Sequence, residues 1–214
     1  MATPPLDAIE RDQLCDLFLE LGPDAPTLCE GWSTLDLAAH LVVRERDPRG
    51  GLVILGGERF AGLEAKLMGR AKEKGLDALV ARLRSGPPLL WKVPGVRTAL
   101  NLNEWFVHHE DVRRANGQGP RDGLDRLDAT LWQSLGTMGR FMVRGTDGTG
   151  VTIEAPGFGT KTVRKPKGDA AQVTVVGTPE EIVLYLNGRR DAAQVELQGD
   201  EAALTALAQA RLGV

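Results

Sequence analysis

Apolar positions recur at helical spacing through the first two thirds of the chain and alternate at strand spacing afterwards. Ile9, Leu14, Leu17, Phe18 and Leu21 suit a period near 3.6 and predict an amphipathic helix over 6–21, ended by Gly22-Pro23. A second helical segment covers 35–43; Ser33 before it and Asp36 three residues later form a capping pair. Phe60, Leu63, Leu67 and Ala71 predict a helix over 58–74, after a flexible, partly apolar stretch at 50–57. A shorter helix over 76–83 is broken by Ser85-Gly86-Pro87-Pro88, and 91–95 leads into a further helix over 101–115 that stops at Asn116-Gly117. Leu127, Leu131, Leu135, Met138 and Met142 mark one face of another helix over 124–143.

The pattern changes after Thr146-Asp147-Gly148-Thr149-Gly150, which reads as a linker. Residues 151–154, 161–164 and 172–176 predict strands, the first two joined by a hairpin turn at Pro156-Gly157-Phe158-Gly159. Thr178-Pro179-Glu180-Glu181 opens a helix ending at Asn187-Gly188, 195–197 is a short strand, and Asp200 opens a last helix to 212. The expected fold class is α+β: a helical domain over 1–145 and a small α+β domain over 151–214.

Composition narrows the functional classes. With 42% hydrophobic and 26% charged residues the chain is an ordinary globular one, and a net charge of -3 argues against a general nucleic-acid binder. No apolar run approaches the roughly 18–20 residues that span a bilayer, so no membrane partner is expected. Residues 1–10 lack the basic start and apolar core of a secretory leader. Cys15 and Cys29 do not make a disulfide framework, which sets a reduced, cytoplasmic location as the expectation. Basic residues over 70–84 are interleaved with acids and read as a solvated helix face.

The chemistry concentrates in the helix over 101–115. Glu104 and His108, at i and i+4, lie about 40° apart on one face, and Asn101 and Asp111 extend that polar row. Leu102, Trp105, Phe106 and Val112 surround it, so the helix is expected to be buried over much of its surface. A buried carboxylate and imidazole are costly unless satisfied, and a divalent metal satisfies both. The chain has three histidines, His40, His108 and His109. His40 with Glu104 and His108 gives two imidazoles and one carboxylate, the donor set of a catalytic zinc site with an open position. Spacing alone also admits an ordinary Glu104–His108 surface pair and a core His40 bonded to a carbonyl. His109 is about 100° around the helix from His108 and is expected outside the site. Cys29, in the loop before the His40 helix, reads as a packing residue in preference to a reactive thiol.

Thr27-Leu28-Cys29-Glu30-Gly31-Trp32-Ser33 leading to Leu37-Ala38-Ala39-His40-Leu41, together with Glu104-Trp105-Phe106-Val107-His108-His109-Glu110-Asp111-Val112-Arg113-Arg114, resembles the mycothiol-dependent maleylpyruvate isomerase family of DinB-like metalloproteins. The resemblance implies an N-terminal four-helix bundle that holds a divalent metal, commonly zinc, through His40, Glu104 and His108. Gly177-Thr178-Pro179-Glu180-Glu181, Leu186-Asn187-Gly188-Arg189 and Gly199-Asp200 are similar to the family's small sterol-carrier-like C-terminal domain. The implied partners are a low-molecular-weight thiol, mycothiol, and a small electrophile. Addition of the thiol sulfur would turn a double bond into a rotatable single bond, and elimination would restore it; S-transfer would stop at the adduct. The family's isomerase also uses an arginine of its C-terminal domain, which falls on Arg189, with Arg190 adjacent. Two other readings accompany this one: a metal-dependent hydrolase with Asp111 or Glu110 as base, and a non-catalytic metal-binding protein whose C-terminal module takes a lipid or a protein.

Overall fold

The computed structural model describes residues 4–47, 49, 60–86, 97–146 and 148–213, with backbone alone at 97–100. The predicted flexible stretch at 50–57, the lead-in at 91–95 and Asp147 of the linker lie outside the described residues. The chain forms two compact units that divide at Pro120/Arg121.

The first unit is helical. Helix α1 (Leu6–Leu21) ends where Gly22 turns to φ +80° and donates its N–H to Phe18 O. Helix α2 (Thr34–Arg46) starts on a complete capping box, in which Ser33 and Asp36 each accept the other's backbone N–H. Helices α3 (Ala61–Lys72), α4 (Leu76–Arg84) and α5 (Arg97–Ala115) follow. Helix α1 packs on α4 and α5, and α2 packs on α3 and α4. Leu14, Phe18, Leu37, Leu41, Leu79, Leu83, Trp105 and Val112 form a continuous core between them. The loop before α2 is fastened to α5: Leu28 N–H donates to Asp111 O (3.1 Å) and Asn116 Nδ2 to Pro26 O (3.0 Å). Its local bend is closed by Thr27 Oγ1 donating to Trp32 O (2.9 Å). That anchoring sets Cys29 beside the polar face of α5.

The second unit begins with α6 (Asp125–Met142), continues through β1 (Gly150–Ala155), β2 (Gly159–Arg164), β3 (Gln172–Val176), α7 (Pro179–Leu186) and β4 (Glu196–Gly199), and ends with α8 (Glu201–Gln209). The sheet order is β2-β1-β3-β4, with β1 antiparallel to β2, parallel to β3, and β3 antiparallel to β4. Helix α6 packs on α7 and β2, and α8 covers β3 and β4. The α+β class expected from the sequence is met. The division falls earlier than the glycine-containing run at 146–150 suggests, because α6 belongs to the second unit. Gly139 is the reason the helix can lie so near the sheet: a Cβ there would come within 2.7 Å of Val163 Cγ1. No helix among the described residues is long and apolar enough to cross a membrane.

Candidate metal centre

Helix α5 presents Glu104 and His108 on successive turns, and α2 brings His40 to meet them. His108 Nε2 lies 3.3 Å from Glu104 Oε1, and His40 Nε2 lies 3.6 Å from the same oxygen. One ligand atom from each residue falls within 4.8 Å of the others. The two imidazoles meet edge to face at 5.5 Å, and the Trp32 ring backs His40 at 5.1 Å. The three residues singled out by spacing are thus brought together.

The outer nitrogens are equally well placed. His40 Nδ1 is 2.8 Å from Glu64 Oε1 of α3, and His108 Nδ1 is 2.9 Å from Asp111 Oδ2. A carboxylate at Nδ1 holds the ring proton there and leaves the Nε2 lone pair facing inward. Both histidines therefore turn their ligating nitrogens toward Glu104. Glu64 carried no signal in the sequence, since its partner is 24 residues away and on another helix. Asp111 lay on the polar row of α5, and its i+3 spacing from His108 is the feature that marks it.

The charge inventory points the same way. Glu64, Glu104 and Asp111 are three carboxylates, and Arg44 brings Nε to 2.9 Å from Glu104 Oε1. With neutral imidazoles these four groups carry net negative charge, which a divalent cation would offset. Burial pushes the His108 imidazole down, but Asp111, the Cys29 sulfur and Glu104 outweigh it and hold its pKa well above the ordinary 6.5. Burial likewise pushes Glu104 up, yet His108, His40 and Arg44 bring it well below 4.5. Without a metal, the site would hold itself together as a charged imidazolium–carboxylate pair. A metal would displace that proton. The donor set, its orientation and its charge fit a divalent ion such as zinc.

Cys29, His108 and Asp111 form a second cluster with donor atoms within 4.8 Å. Asp111 Oδ2 accepts from Cys29 Sγ at 3.2 Å as well as contacting His108 Nδ1, while Cys29 Sγ stands 3.9 Å from that nitrogen. An ion here would strip His108 of its Nδ1 proton and its orienting carboxylate. The cluster is better suited to aligning His108 from behind. Cys29 accordingly contacts the site's supporting carboxylate, a role beyond the packing expected of it.

His109 faces elsewhere, with Nδ1 2.8 Å from Glu10 Oε2 of α1, both side chains buried. In the second unit, Arg189 donates Nη1 to Asn187 O at 2.7 Å. Arg190 donates to the carbonyls of Leu207, Ala208 and Ala210, where it closes the C-terminal end of α8.

Residues 119–206 match the family model described as the MDMPI C-terminal domain, a span that opens at the boundary between the two units. No curated protein sequence matches the chain. Among solved structures, the mycothiol-dependent maleylpyruvate isomerase shares 18% sequence identity with a TM-score of 0.55, covering 89% of this chain and 90% of that one. A histidine-to-alanine mutant of a mycothiol-dependent maleylpyruvate isomerase gives 16% identity with the same TM-score and coverage. At such identity the likeness speaks for the fold. The resemblance read from the motifs is therefore borne out on two counts: the second unit carries the signature of the MDMPI C-terminal domain, and the chain has the fold of the mycothiol-dependent maleylpyruvate isomerase.

Proposed function

We propose that the protein is a metal-dependent enzyme of the maleylpyruvate isomerase type, which uses a low-molecular-weight thiol, mycothiol in the first instance, against a small electrophile by isomerisation or S-transfer. The observation that carries this reading is the convergence of His40, Glu104 and His108 with both Nδ1 atoms held by carboxylates. A bound divalent ion would supply an electrophilic position that favours the thiolate form of an incoming thiol. His40 and His108 would hold the ion through Nε2 and Glu104 through its carboxylate. Asp111 and Glu64 keep the two rings in the required tautomer and orientation. The chain's own thiols are poorly suited to be the nucleophile. Cys15 is buried, and desolvation pushes its pKa up to about 12. Cys29 is turned to Asp111, while His108 Nδ1 is already occupied by that carboxylate. An external thiol removes the need for either. Arg189 is assigned to the substrate's anionic group on the strength of the family resemblance, in which an arginine of the C-terminal domain takes part.

The test is turnover of an activated unsaturated electrophile by zinc-loaded protein with and without mycothiol. Consumption that requires both metal and thiol is expected. Cleavage of an ester by the same protein without thiol, with no thiol-dependent consumption of the electrophile, would assign the site to hydrolysis instead.

A further inference from the structure

Arg44 stands on α2 one turn beyond His40, so both side chains rise from the same helix face. Its Nε lies 2.9 Å from Glu104 Oε1, the oxygen that also faces both histidine Nε2 atoms. This ion pair is the one polar contact of its guanidinium among the described residues. The side chain keeps 19% of its exposure, and neither Nη is closed off from solvent.

Elsewhere in the same unit two arginines share one carboxylate, and Arg114 meets Glu110 through Nε at 2.7 Å. Arg113 serves Glu110 as a plain counter-ion and spreads Nη1 over both carboxylate oxygens, at 2.9 and 3.1 Å. Arg44 meets Glu104 through Nε alone, and neither Nη has a hydrogen-bond partner among the described residues. Any charge that Glu104 lends to a cation is charge withdrawn from Arg44, which strengthens the demand of its Nη edge for another anion. The edge is a planar two-pronged donor, which matches a carboxylate. A phosphate dianion fits less well, because Glu104 stands beside the guanidinium, with Glu64 and Asp111 behind the two histidines, and these carboxylates would repel the second charge.

We propose that Arg44 is a specificity-determining residue of the site, whose Nη edge binds a carboxylate on the electrophilic substrate beside the metal. This rests on the metal-dependent reading above and adds to it a guanidinium carried by the same helix as His40.

The probe is crotonate, an unsaturated monocarboxylate, with neutral crotonamide as control, titrated by NMR into zinc-loaded wild type, Arg44→Lys and Arg44→Met. Bound zinc is measured on the same samples. Loss of one charge-assisted two-pronged contact weakens binding by about 10–100-fold. Arg44→Met is expected to weaken crotonate by that factor. Arg44→Lys, which keeps a charge near Glu104 but not the fork, should lose at least about threefold. Crotonamide affinity and zinc content should hold. Equal crotonate affinity in all three proteins, or no saturable crotonate binding to the wild type, would overturn the role of Arg44 while leaving the metal centre standing. Loss of zinc from both variants would overturn it too, by making Arg44 a structural partner of Glu104. If the wild type takes up no zinc, the metal reading fails by itself, and the same titration on metal-free protein then decides Arg44: a drop in crotonate affinity in Arg44→Met supports it, and equal affinity overturns it.

Discussion

Replacing Asp111 with asparagine isolates what orients His108. The Asp111 side chain is fully buried and contacts His108 Nδ1 at 2.9 Å and Cys29 Sγ at 3.2 Å. Asparagine keeps the shape and removes the charge, so the core around it has little reason to move. Its amide can meet the imidazole in two ways. With the carbonyl oxygen toward Nδ1, a charge-assisted hydrogen bond becomes a neutral one of roughly half the strength, a loss of about 1 kcal/mol. With the NH2 toward Nδ1, the ring proton moves to Nε2, the atom that must offer its lone pair to the metal. Both routes weaken metal binding, by about 10–100-fold in total. The assay is apparent zinc affinity by competition with a chromophoric chelator at fixed pH, with the visible spectrum of the cobalt-loaded protein as a check on coordination. Glu64→Gln is the internal comparison. It removes the same charge behind His40, but the Glu64 side chain is 25% exposed, so water can replace the lost acceptor and the loss should stay below about tenfold. An Asp111→Asn protein with wild-type zinc affinity and an unchanged cobalt spectrum would refute the orienting role.

Three further outcomes follow from the same structure. The raised His108 pKa contributes stability that is complete below about pH 6.5 and fades as pH climbs through the raised value, while depressed Glu104 contributes stability that is complete above 4.5 and fades as pH falls. Metal-free protein should therefore lose stability to urea toward alkaline pH while zinc affinity rises about tenfold per unit over the same range; parallel trends would contradict this. His109→Ala should keep its bound metal but lose about 1–3 kcal/mol in chemical denaturation, because the buried contact of its imidazole with Glu10 is removed. Burial, reinforced by the Asp128 carboxyl, pushes Glu180 up to about 9, so its contribution is complete below 4.5 and lost as pH rises through 9. Glu180→Gln should match the wild type near pH 4.5 and exceed it by a margin that grows as pH rises toward 9 and then levels off, as read from thermal midpoints.

The convergence of His40, Glu104 and His108 was legible in the sequence because helical periodicity places Glu104 and His108 on one face and few histidines compete with His40. What supports them was less so. Glu64 sits in a run of ordinary surface-type residues and becomes a partner of His40 through the packing of α3 on α2. Cys29 reaches Asp111 because backbone bonds pin its loop to α5, and apolar patterning does not record such bonds. The amphipathic face of 125–142 announces that the helix is buried against something, and is silent on what. Its placement against β2 turns on the close approach at Gly139, a tertiary fact. Arg189 and Arg190 are adjacent and chemically alike, and each finds backbone carbonyl acceptors, Asn187 for Arg189 and the last turn of α8 for Arg190.

The account rests most directly on metal stoichiometry, measured by elemental analysis of zinc-equilibrated wild type and the single alanine variants of His40, Glu104, His108 and His109. It predicts one zinc per chain in the wild type and in His109→Ala, and a loss of most of that zinc in each of the other three. A wild type that binds no zinc, or variants of His40, Glu104 and His108 that bind as much as the wild type, would contradict it.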